Sequence, residues 1–203
     1  MKKILGIKAR SRRIMIRIFL RWFLYSAVLL VFYLMETNPI IRGFCPLLLI
    51  PLATAVAMYE GDLAAGIFAV FCGIMLDMAN GVTVLGFSAL WLLCACPIIS
   101  LLSRFWVKVN VLSHLVINAA VTAIMATMDM LFLHWTWEGV QSGISFVNVI
   151  LPGYGGAILF SIPVYMLVSL ISKKMRPKEE RRLNETSYNT DESDINEKTQ
   201  FRD

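Results

Sequence analysis

Between Arg21 and Lys173 the chain is a succession of apolar runs, each close to the length of a membrane crossing and joined by short connectors. A bilayer core about 30 Å thick needs roughly 20 apolar helical residues per crossing, so this stretch holds about six. Nothing is left over for a separate soluble domain. The composition, 58% hydrophobic and 16% charged with the charges crowded at the ends and in the connectors, is that of a polytopic membrane protein. The expected fold is an all-α integral membrane protein with about six transmembrane helices.

The crossings are placed at residues 17–35, 43–58, 63–79, 83–103, 111–133 and 147–172. The second is short, contains Pro46 and Pro51 and has Arg42 at its edge, which predicts a kinked helix packed among others. Lys and Arg concentrate on the cytoplasmic side of short loops. With six crossings and the N-terminus inside, 18 of the 19 basic residues fall on that side and only Arg42 falls outside. Both termini are therefore expected in the cytoplasm. Trp22 and Trp106 then mark inner ends, and Trp135 and Trp137 an outer end.

Three regions follow: a basic cytoplasmic segment at 1–16, a transmembrane domain at 17–172, and a polar tail at 173–203 expected to be disordered. The N-terminus has the charge pattern of a signal peptide, but its basic part is long and no A-x-A-like site follows, so it is read as retained. The sequon at Asn184 lies on the wrong side for glycosylation.

The net charge of +5 and pI near 9.1 do not indicate nucleic acid, because the basic residues flank membrane segments and form no patch with interleaved aromatics. Cys45, Cys72, Cys94 and Cys96 lack His or carboxylate neighbours at ligand spacing and read as small packing residues. No HExxH, GxSxG, P-loop or GxGxxG pattern occurs. Neither catalysis nor a cofactor or metal is expected.

Two carboxylates, Asp77 and Asp129, lie within crossings, where a charge is costly unless it faces protein or water. Gly66, Val70, Gly73 and Asp77 share one helix face by three-and-four spacing, and glycines there admit a close neighbour. Asn80-Gly81 signals a tight turn, making the third and fourth crossings an antiparallel pair. Asp77 then either braces this hairpin by bonding free backbone N–H groups or serves ligand binding or protein contact. Asp129 shares a face with Asn118, with Thr122 between, an interior polar stripe suited to bracing. His114 and His134 fall at opposite ends of the fifth crossing and read as interfacial. Pro152, Gly153, Gly155, Gly156 and Pro163 interrupt the last apolar run, a pattern that can line a solute site or kink a helix for packing.

The run from Pro46 to Ile98, with a proline-led second crossing and then G-x3-D-x3-G-x4-G at Gly73, Asp77, Gly81 and Gly86, resembles the rod shape-determining protein MreD family. The ending "LPGYGGAILFSIPVYMLVSLISKK", with P-x-Y at Pro163 and Tyr165, is similar to that family's last crossing. The resemblance covers most of residues 46–174. It implies a small non-catalytic subunit of the bacterial elongation (peptidoglycan synthesis) machinery, in the cytoplasmic membrane, which associates with the bitopic protein MreC. Through MreC it would meet the actin-like MreB, the glycosyltransferase RodA and a class B penicillin-binding protein. The six-helix architecture is also similar to the substrate-binding subunits of energy-coupling-factor vitamin transporters, which supplies a second reading. The basic N-terminal segment either lies on the inner leaflet, its cations toward anionic lipid headgroups, or only sets topology.

Overall fold

The computed structural model of the chain describes residues 2–38, 47–80, 86–106, 109–136 and 151–175, with side chains described at 15–38, 47–79, 86–106, 109–131 and 153–175. Among them the structure is all helical: α1 (Lys2–Thr37), α2 (Leu49–Tyr59), α3 (Asp62–Asn80), α4 (Phe87–Phe105), α5 (Val111–Thr136), α6 (Leu151–Leu159) and α7 (Ser161–Met175). Four of them contain a stretch long and apolar enough to cross a membrane, Met15–Thr37, Asp62–Ala79, Phe87–Phe105 and Val111–Leu131. The pair α6 and α7 makes a fifth if its two halves are one span. This is a multi-pass membrane protein.

The second expected crossing takes another form. At 11 residues, α2 is only about 17 Å long, roughly half of a hydrocarbon core. All of its residues are buried, and it packs against α3, α4, α5 and α6. A segment apolar on every side has no solvent face to show, so it occupies the middle of the bundle. Pro51 does not kink it, because the residue falls in the first turn, where a missing N–H costs nothing. Pro46 and Arg42 lie outside the described residues.

Pro163 has the opposite effect. It falls in the first turn of α7, and continuing α6 into α7 would require an N–H from residue 163 to the Leu159 carbonyl. Proline cannot supply it and its ring presses on that carbonyl, so the two helices meet at 47°. Pro97 stands inside α4 as well, where it lies against Gly66 of α3.

The chain divides into two compact units, Tyr25–Leu170, and Met1–Leu24 with Ile171–Asp203. In the larger unit, α3 and α4 form the most extensive helix pair. In the smaller unit, Met15, Ile16, Phe19 and Phe23 are exposed apolar residues, while Arg21 is buried. Helix α1 is unbroken at residue 16, so the basic segment and the first crossing share one helix. Helix α7 runs to Met175, past the expected start of the tail at 173; residues 176–203 lie outside the described residues. Cys72 and Cys96 are buried as packing residues, whereas Cys94 is exposed and does no such packing; Cys45 lies outside the described residues.

Candidate functional site

Two carboxylates in the last turns of α1 and α3 each receive the start of the next helix, and a third, in α5, bonds a side chain of α6. The N–H groups of a helix's first turn have no partner within the helix, and in an apolar surrounding they must find one elsewhere. Glu36 supplies Oε1 to the Leu49 N–H at 3.1 Å, at the start of α2. Asp77 serves α4 with both oxygens: the Gly86 N–H donates to Oδ2 at 2.7 Å and the Ser88 N–H donates to Oδ1 at 3.2 Å. Asp129 accepts a hydrogen bond from the hydroxyl of Tyr154 in α6.

The Asp77 bonds are those expected of a hairpin brace, and the glycines around it have separate reasons. Gly86 has φ 103°, a left-handed conformation in which an L side chain is strained. Gly73 lies against the backbone of the facing helix: a Cβ added there would come within 2.8 Å of the Ser88 carbonyl carbon and closer still to the Ala89 backbone. Gly66, on the same face, would meet only side chains at ordinary contact distance. Gly81 lies outside the described residues, as do the side chains of Asn80 and Pro152. The turn they were expected to form is therefore not part of this description.

Glu36 was absent from the sequence reading because its position, next to "TNP", had been placed in a connector. It is 6% exposed. The signal for it is an acidic residue in the last turn of an apolar helix, the same signal that marks Asp77.

A second polar region runs along α5. His114 is fully buried, not interfacial; its ring packs on Tyr165 with centroids 5.0 Å apart, and its Nε2 lies 3.2 Å from Thr54 Oγ1. Thr54 Oγ1 is also 3.1 Å from Asn118 Oδ1 and 3.1 Å from the Pro51 carbonyl, and Asn118 Nδ2 donates to the Ala157 carbonyl at 3.4 Å. One hydroxyl proton cannot serve both acceptors, so Thr54 donates to one and accepts from His114. Tyr59 donates to the Tyr165 hydroxyl at 2.9 Å, closing this region at its far end. The expected stripe of Asn118, Thr122 and Asp129 thus begins one turn earlier, at His114, a residue whose four-residue spacing from Asn118 marks it in the sequence. The side chain of His134 is not described.

Near the other end of α2, Tyr25 donates to Glu60 Oε1 at 3.2 Å and Ser100 donates to the Glu60 carbonyl at 2.9 Å. None of these groupings joins a nucleophile to a base and an acid. Their described bonds serve helix starts, helix ends and helix contacts. Pro163 contributes by bending α7 from α6, which sets Tyr154 and Tyr165 on different segments while both face α5 partners. No family model matches this chain, and neither a curated protein nor a solved structure is found similar to it.

Proposed function

We propose that the protein is a non-catalytic membrane scaffold of the bacterial cell-elongation machinery, which binds an MreC-like bitopic partner and helps to maintain rod shape. The observation that carries this reading is the α3–α4 hairpin. Of the described positions of the motif that resembles MreD, Gly73 admits the facing backbone, Gly86 takes a left-handed conformation at the start of α4, and both oxygens of Asp77 are engaged by backbone N–H groups. A carboxylate held this way is a structural part of the hairpin and is poorly placed to bind a solute. In this reading the chain has six crossings, with α2 and its flanking residues as the second and both termini in the cytoplasm. MreB, RodA and a class B penicillin-binding protein are reached through the MreC-like partner.

Contact with that partner would fall on lipid-facing helix surface. The α1 span is 17% buried against 50% for the α3 span, which leaves α1 the larger free face. Mass spectrometry of what copurifies with the tagged protein from its own membranes in mild detergent tests the proposal. Enrichment of an MreC-like protein and cell-wall synthases is the expected result; their absence from a well-folded preparation overturns it.

The bent pair α6–α7 favours a second reading, a solute-binding subunit of an energy-coupling-factor vitamin transporter, because interrupted helices can line such sites. Enrichment of a coupling membrane protein with paired ATPases, together with a rise in Tm on adding one of a panel of vitamins, would replace the first reading with this one.

A further inference from the structure

The boundary between α5 and α6–α7 contains polar atoms that its own protein bonds leave over. His114 Nδ1, Thr122 Oγ1 and Ser161 Oγ are buried and have no protein partner, and the three residues are at most 1% exposed. They are not scattered. His114, Asn118, Thr122, Met125 and Asp129 follow three-and-four spacing along α5, while Tyr154, Ala157, Ser161 and Tyr165 follow it along α6 and α7. The two series meet at Asp129–Tyr154, at Asn118–Ala157 and at His114–Tyr165, so Ser161 lies in the interval between the Asn118 and His114 pairs, and Thr122 in the next interval, between the Asn118 and Asp129 pairs. An unsatisfied buried hydroxyl or ring nitrogen carries a large desolvation penalty, and three in one seam of a native protein require an explanation.

The chemistry of the three atoms defines what would satisfy them. Thr54 Oγ1 has two oxygen acceptors for its one proton, so the His114 Nε2 that faces it is the donor and carries the ring proton. Nδ1 has no partner, which makes Nε2 the protonated nitrogen and leaves Nδ1 a lone-pair acceptor. The ligand must therefore donate to Nδ1, and it must donate to or accept from the two hydroxyls. It must also be neutral, since no charged group of α5, α6 or α7 faces this interval between Asp129 and His114 to balance an ion. A small neutral donor and acceptor that fits between packed helices is water.

We propose that α5 and α6–α7 enclose a water-binding seam, in which bound water bonds His114 Nδ1, Ser161 Oγ and Thr122 Oγ1. The seam explains why a helix pair with a 47° bend is tolerated against α5, because water fills polar gaps that bent helices leave.

The chain has only two histidines, so a His134→Gln variant makes His114 the single imidazole reporter. In the full-length protein in lipid, labelled with nitrogen-15 histidine, water-edited solid-state NMR should show magnetisation from water reaching the His114 ring within milliseconds. Thr122→Val and Ser161→Ala provide an independent readout whose sign separates the alternatives. Hydroxyls bonded to water stabilise the seam, so each variant should lower Tm, and Ser161→Ala, in the interval next to His114, should also reduce the transfer to its ring. Hydroxyls buried dry are a penalty, so their removal would raise Tm. Absence of transfer to His114, or a rise in Tm in both variants, overturns the proposal.

Discussion

The α3–α4 hairpin and the α5–α6/α7 boundary are built from similar residues, small side chains and a carboxylate in an apolar setting, yet they solve the burial of polar groups differently. In the hairpin, Gly73 brings the backbones together and Asp77 spends both oxygens on the free N–H groups of α4. Neither oxygen of Asp77 is left over. At the boundary, α6 is separated from α7 by a bend, and polar atoms of His114, Thr122 and Ser161 have no protein partner. Close approach of two backbones satisfies polar groups internally, whereas a bent helix leaves gaps between its contacts. A hairpin of the first kind should be rigid and intolerant of added volume; a boundary of the second kind should tolerate polar change.

The largest effect expected is that of Gly73→Leu, whose side chain would collide with the Ala89 backbone and separate α3 from α4. No monodisperse protein should survive size-exclusion chromatography in detergent, whereas Gly66→Ala, meeting only side chains, should elute normally. Asp77→Ala comes next. Two N–H groups lose a charged acceptor, at a cost of about 3 kcal/mol, seen as a lower Tm. Glu36→Ala removes one such bond from the start of α2 and should cost about 1–2 kcal/mol in the same assay. Asp129→Asn should have the smallest effect, about 1 kcal/mol or less, because an amide oxygen still accepts from Tyr154. If Asp129→Asn were as damaging as Asp77→Ala, the distinction between the two regions would be lost.

The hairpin was legible because its determinants are local. Gly73 and Asp77 lie four residues apart on one face of one helix, so their spacing was enough to align them, and Gly86 follows in the next connector. The boundary was only half legible. The run Asn118, Thr122 and Asp129 showed a polar stripe, but its partners Thr54, Tyr154 and Tyr165 are 25 to 64 residues away in sequence or belong to other helices. His114 was misplaced for the same reason: a histidine near the end of an apolar helix looks interfacial until Thr54 and Tyr165 are seen beside it. Glu36 was assigned to a connector because helix ends are the least certain part of any sequence reading.

By itself the sequence determined that the chain is helical and apolar enough to cross a membrane several times, since hydropathy over about 20 residues depends on composition and not on neighbours. It also determined where α3 and α4 must approach, since glycine and carboxylate act within one helix face. Only the tertiary structure decided that α2 has 11 residues and is not kinked at Pro51, that Glu36 caps it, and that His114 faces Thr54 and Tyr165. The physical reason is that a buried polar group takes its character from what packs against it, and those partners are supplied by helices far apart along the chain.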